Sequence, residues 1–216
     1  MKLYLAIIGH TATGKESSYI AAKEEFAGKF TVSIHHFSDP LNENLDLLCL
    51  PRTRLNQQAI STALRGTFGE ELLGNIIYER ASDDPSDIVF LDGVRRPQDV
   101  VMLKRLSQTH AFLVYICAPI EERFKRLTKR NDRPGDAEKT WEQFLAEQSA
   151  ETESLIDALR PMANFELYNS FHDPEFRSLR FQVVNIISEK LRRSGRSPDS
   201  KASGLNLSRT EGTDVA

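Results

Sequence analysis

What most constrains this chain is an alternation of short apolar runs, each closed by a chemically marked residue, with segments of helical periodicity. KLYLAII (2–8) meets Gly9, FTVSIHHF (30–37) meets Ser38 and Asp39, IVFLD (88–92) ends in a carboxylate before Gly93, and AFLVYICAP (111–119) stops at a proline. ANFELYN (163–169) alternates as a later strand. The spacing between these runs predicts helices from Lys15 to about Phe26, over 41–49, 55–65 and 68–81, and through RPQDVVMLKRL and IEERFKRLTKR. TWEQFLAEQSAETESLIDAL reads as one long polar helix, and the final helix starts at Asp173-Pro174. Strands alternating with helices predict an α/β doubly wound fold, its parallel sheet covered on both faces.

At 216 residues and 40% hydrophobic content, one core is the expectation. The 28 basic and 31 acidic residues leave a net charge of -3, so no bulk field argues for nucleic acid or an anionic membrane, and any anion site must be local. No apolar run reaches the roughly 18–20 residues of a spanning helix, and MKLYLAIIGH turns polar too soon for a signal peptide, so a soluble cytoplasmic protein is expected. Cys49 (LLCLP) and Cys117 (VYICAP) read as reduced core thiols. Beyond Arg193 the chain is rich in Ser, Gly and charge and poor in large apolar residues, the composition of a disordered tail.

In such sheets ligands bind beyond the carboxyl ends of the strands. There the chain carries GHTATGKES. Gly9, His10, Thr11, Ala12, Thr13 and Gly14 form a loop whose backbone N–H groups can curl round a phosphate, at a helix start that adds positive charge, with Lys15 reaching phosphate oxygens. The plain alternative is a strand-to-helix turn with a surface lysine. Glu16 stands where a magnesium-binding hydroxyl is usual, and hydroxyls follow at Ser17 and Ser18. Glu16 either acts on the metal or is a first-turn acid favoured by the helix dipole.

Asp92 is placed to orient a metal and its water, or caps its turn. Asp39 faces an acceptor as base or orienting group, or merely starts a helix with Pro40. Arg123, Arg126, Arg130 and Arg133 recur at steps of 3, 4 and 3, giving one helical face that leads into NDRPG. Such a face is either a solvated stripe or a lid closing over phosphates. Arg52, Arg54, Arg65, Arg95 and Arg96 form a second cationic group near element ends, so there are cations for two phosphate sites, where a simple ATP hydrolase needs one.

Together GHTATGKES, FSDPL, RTRLNQQ with LRGTFGEELL, VFLDGVRRPQDV, and APIEERFKRLTKRNDRPGD with TWEQF resemble the P-loop kinases of the nucleoside monophosphate kinase group, including small adenylate kinase-like and dephospho-CoA kinase-like proteins. The likeness spans about residues 3–191. It implies a three-layer P-loop fold with a five-stranded parallel sheet in residues 1–192, an acceptor-binding segment around 40–80 and a lid around 123–140, with residues 193–216 outside it. It further implies Lys15 on the donor phosphates, Asp39 at the acceptor, and Arg126, Arg130 and Arg133 as lid cations.

The reading that follows is a kinase passing the γ-phosphoryl group of ATP, with Mg²⁺ held by Glu16, Ser17 and Asp92, to a small-molecule nucleotide acceptor met by Asp39, Arg52, Arg54, Arg65 and Arg95. A (deoxy)nucleoside monophosphate is the first choice of acceptor and dephospho-CoA the second. A regulatory P-loop ATPase without an acceptor is the competing class, although no NKxD or LSGGQ motif supports a GTPase switch or a transporter ATPase. A scaffold with a degenerate loop is a third.

Overall fold

Every second residue of Leu3–Ile8 (β1) belongs to a different core. Leu3, Leu5 and Ile7 pack with Phe26 and Val183 on one face of the sheet, whereas Tyr4, Ala6 and Ile8 pack with Leu73 and Met102 on the other. The strand is buried along its whole length, which is why it reads as a continuous apolar run. The chain was analysed as a computed structural model that describes residues 2–129, 136–148, 151–169 and 177–196, with side chains left out for 151–154.

Four further strands join β1: Val32–His36 (β2), Ile88–Asp92 (β3), Ala111–Cys117 (β4) and Phe165–Tyr168 (β5). All pair in parallel, in the order β2-β3-β1-β4-β5. Lys15–Glu25 (α1) and Arg177–Arg193 (α9) cover one face. Leu72–Asp83 (α4), Pro97–Leu106 (α5) and the end of Glu151–Leu159 (α8) cover the other. The connection after β1 runs over one face to β2, whereas that after its neighbour β3 runs over the other face to β4, so the carboxyl ends of β1 and β3 flank a topological switch point, where a crevice opens.

Asp39–Leu47 (α2) and Arg54–Phe68 (α3) pack against each other. Thr53 opens α3 by accepting from the Asn56 N–H at 3.2 Å. Gly69, at φ 99°, closes it, so the amphipathic segment expected from 68 begins instead at Leu72. The only fully buried residue of α3 is Arg65, while its Ile60 and Leu64 are partly buried against the core, so this helix lies at the core's margin. Ile120–Lys129 (α6) and Trp141–Gln148 (α7) share a small cluster in which Leu127 and Phe144 pack on Ala12, with Phe124 edge-on to Trp141 at 5.2 Å. The long polar pattern is thus seen as α7 and α8, with residues 149 and 150 outside the described set. Asp173 and Pro174 are outside it too, as are residues 197–216.

The cysteine expectation needs correcting. Both thiols are free, but Cys49 is exposed, at φ 55°, and Cys117 is only half-buried. α2 buries Leu41 and Leu45 and then ends, leaving Leu47, Leu48 and Leu50 exposed, so the apolar letters around Cys49 do not face a core. No helix among the described residues is long and apolar enough to cross a membrane.

After α9, Gly195 at φ 75° turns the chain so that the Arg196 N–H reaches the Leu191 carbonyl at 2.9 Å. Arg196 then pairs with Asp87 and lies over the Phe30 ring. Burial raises the Asp87 pKa, but Arg196 and the Thr31 hydrogen bonds outweigh it and hold the carboxyl at about 2, below its usual 3.8. A lowered folded pKa stabilises the fold above pH about 4, and the gain is lost as pH falls towards 2. Asp87→Asn is therefore expected to lower Tm by roughly 4 °C at pH 7. In thermal melts against pH, the gap to the parent should close below pH about 3.

Candidate functional site

Gly9 follows β1 where no other residue fits, since a Cβ there would lie 2.3 Å from the Ile116 carbonyl oxygen and 2.8 Å from Thr13 Oγ1. Ala12 (φ 64°) and Gly14 (φ 102°) adopt the left-handed conformation that curls the loop, and Gly14 leads straight into α1. Thr13 is buried and its hydroxyl donates to the His10 carbonyl at 2.9 Å. Lys15 Nζ donates to the carbonyls of Gly9 at 2.8 Å and His10 at 3.1 Å, so the ammonium group spans the loop. Gly9→Ala should destabilise the fold by about 3 kcal/mol or more, through overpacking against backbone that cannot yield. A urea melt of the purified variant measures this.

The loop opens into a cleft of about 1360 Å³. Gly9, Thr11, Ala12, Thr13, Gly14, Lys15, Glu16 and Ser17 all line it. His10 does not, because its imidazole turns to Asp157, 2.8 Å away, and only its backbone serves the loop. Ser18 is buried and donates to the Gly14 carbonyl at 3.2 Å, which leaves Ser17 as the hydroxyl on the cleft side.

Across the loop, β3 presents Asp92. Its Oδ2 meets His36 Nδ1 at 3.4 Å, while its Oδ1 is buried without a hydrogen-bond partner. Burial raises the Asp92 pKa, but the His36 hydrogen bond and the charges of Lys15 and Arg95 outweigh it, so the group lies below its usual range. His36 is shifted up, first by its hydrogen bond to Asp92, against burial, with Asp39 and Glu16 adding in the same direction. A half-buried carboxylate held below its usual pKa range, with one buried and unused oxygen, fits a hard cation. Among the described residues no three His, Cys, Asp or Glu side chains form a metal cage. Magnesium beside a polyphosphate needs only one or two carboxylates, and Asp92, Glu16 and Ser17 line the same cleft.

Asp39 also lines the cleft, with its Oδ2 accepting from the His36 N–H at 2.9 Å as a helix-start carboxylate would. Arg54, Arg65, Arg95 and Arg96 line the cleft as well. Arg65 is 6% exposed and is fixed by Asp99 Oδ1 at 3.2 Å and by the Glu70 carbonyl. Arg52 is not brought in: it is exposed, outside the cleft, and paired with Asp46. Arg126 lines the cleft and pairs with Glu122 at 2.7 Å, whereas Arg123 is buried against Gln148 and the Phe144 ring and does not line it. Arg130 and Arg133 lie outside the described residues.

Three groups were missed. Asp99 is buried and also accepts from the Arg95 and Arg96 N–H groups at 3.2 and 3.1 Å, which makes it the anchor of Arg65 and of the Arg95–Arg96 backbone. Its position three residues after Arg96, with Pro97 between, is a helix-start signature that could have found it. His36 lies directly opposite Asp92 in the strand register. Asn169, fully buried after β5, donates to the Thr13 carbonyl at 2.7 Å and accepts from Arg126 at 3.3 Å, tying the loop to α6. The rule that sites sit at strand carboxyl ends covers both residues.

No family model matches the chain. It is similar to a UPF0200 protein of Hyperthermus butylicus, 24% identical over 177 residues that cover 82% of this chain and 90% of that one. Another UPF0200 protein, from Thermococcus sibiricus, is 20% identical over 88% of this chain and 95% of its own. Among solved structures, shikimate kinase from Bacteroides thetaiotaomicron superposes with a TM-score of 0.53 at 14% identity, covering 88% of this chain and 98% of that one. Shikimate kinase from Acinetobacter baumannii, in complex with shikimate, gives 0.51 at 14% identity, covering 87% and 93%. The chain therefore has the fold of the small P-loop kinases. These likenesses do not single out the nucleoside monophosphate kinase group.

Proposed function

We propose that the chain is a phosphotransferase that passes the γ-phosphoryl group of Mg·ATP to a (deoxy)nucleoside monophosphate. The observation that carries this reading is that the phosphate loop and a second set of cations, Arg54, Arg65, Arg95 and Arg96, line one continuous cleft. A hydrolase needs no second anion site. Two anionic groups held across from each other are what in-line transfer between phosphates requires.

In this reading the loop N–H groups and Lys15 hold the donor, Lys15 exchanging two loop carbonyls for phosphate oxygens. Magnesium, held by Asp92 with Glu16 or Ser17, would neutralise charge on the phosphates. Arg65, already fixed by Asp99, holds the acceptor phosphate without paying rotamer entropy on binding. Arg126 brings positive charge from the α6 side, and Arg130 and Arg133, which follow it in the sequence, would add to it.

A phosphate acceptor is ionised at neutral pH and needs no base, whereas the hydroxyl of dephospho-CoA does. Asp92 is held below its usual pKa range, an arrangement that favours holding a cation over taking a proton. ADP release should accelerate at least tenfold with one or more monophosphates in a panel that also contains dephospho-CoA, shikimate and simple sugars. A slow rate unchanged by every compound would instead favour a regulatory ATPase.

A further inference from the structure

We infer that Asn42 and Gln57 form a base-reading pair, so that the acceptor is selected by the hydrogen-bonding edge of its nucleobase. This inference rests on the nucleotide-acceptor reading above and deepens it. Asn42 comes from α2 and Gln57 from α3; both line the cleft, and Gln57 Nε2 lies 2.6 Å from Asn42 Oδ1. Their amide heads are thereby locked to each other across two helices.

The pairing uses one donor and one acceptor, and two primary amides so joined keep a donor on one and an acceptor on the other. If the amide orientations are exchanged, the groups left untouched are the same in kind: one NH₂ donor group and one C=O acceptor. The cleft wall therefore offers a fixed donor–acceptor couple, which matches the edge of a nucleobase. It is a poorer match for a sugar, whose hydroxyls rotate and accept any pattern.

Distance supports the same assignment. Gln57 and Arg65 are eight residues apart on α3, about 12 Å along the axis, on the cleft-facing side. The amide couple at one end and the buried, Asp99-fixed guanidinium at the other suit the base and the phosphate of one extended nucleotide. A single-ring acid does not reach both. Because the couple is preorganised, an acceptor that mismatches it leaves a desolvated polar group unpaired, the most effective way to reject a close analogue.

The experiment measures kcat/KM of the full chain with ATP and AMP, GMP, CMP and UMP, for the parent and for Gln57→Leu, Gln57→Glu and Asn42→Asp. The parent should prefer one base, and Gln57→Leu should lower that preferred value by about 10- to 100-fold while KM for ATP stays within about twofold. Either acidic variant keeps the amide–carboxylate bond but presents two acceptors to the cleft. Both should therefore move the ranking the same way, towards GMP, whose guanine edge carries two adjacent donors. A parent that uses monophosphates while both acidic variants keep its ranking, or move it in opposite directions, overturns the base-reading pair alone. A parent that phosphorylates none of the four, nor any of the deoxynucleoside monophosphates, overturns the nucleotide-acceptor reading and the pair with it. Far-ultraviolet circular dichroism of each variant separates loss of selection from loss of fold.

Discussion

Lys15→Ala should reduce kcat/KM for ATP-dependent transfer by about 10²- to 10³-fold, the loss expected when one preorganised cation is removed from charge developing in the transition state. The fold should survive. The loop carbonyls that Lys15 Nζ meets, those of Gly9 and His10, are partly buried, and water in the open cleft can replace it there. Melting within about 3 °C of the parent, together with the kinetic loss, would assign the lysine to the donor phosphates. Unchanged Mg·ATP affinity and unchanged turnover would make the loop a structural turn.

The second large effect is expected at Asp92. Asp92→Asn keeps the shape and a hydrogen-bonding partner for His36 but removes the charge beside an oxygen that has no protein partner. Turnover should fall by about 10²-fold or more, and half-saturation for magnesium should move to higher concentration. A magnesium titration of ADP release at saturating ATP reads both. If the variant lost turnover with its magnesium dependence unchanged, Asp92 would be a turn-forming residue whose loss distorts β3. Because the parent carboxylate is held below its usual pKa, its contribution should be present across the neutral range and fade only in acid.

Much of the fold was legible because it rests on short-range signals. β1, β3 and β4 are buried on both faces, so their sequences are nearly unbroken apolar runs, and Gly9 and Gly93 mark where two of them end. α3 was legible as a helix but not in what it buries: beside Ile60 and Leu64 at the core's margin, its one fully buried side chain is an arginine held by an acid from α5, a contact between residues 34 positions apart that no local pattern encodes. The apolar letters around Cys49 misled for the opposite reason, since a helix end can leave leucines exposed when its first turns already fill the core.

The site divides in the same way. The loop from Gly9 to Ser17 was readable because its chemistry is contiguous. Asp92 was readable by its place at a strand end. Its partner His36, the Asp99 anchor and Asn169 carried only a positional mark, a strand end or a helix start, because the partners each meets are distant in sequence. Arg52 shows the converse: an arginine beside the right segment is captured by the nearest exposed carboxylate, Asp46, and stays out of the cleft.

The central claim is that the γ-phosphoryl group leaves ATP for a nucleotide. Incubation with γ-phosphate-labelled ATP, magnesium and the monophosphate that most accelerates ADP release, followed by chromatography of the products, tests it directly. Label recovered in a nucleoside diphosphate in step with ADP formed, and absent with Lys15→Ala, is the predicted result. Label found only as inorganic phosphate, in the same amount with and without the monophosphate, would contradict it.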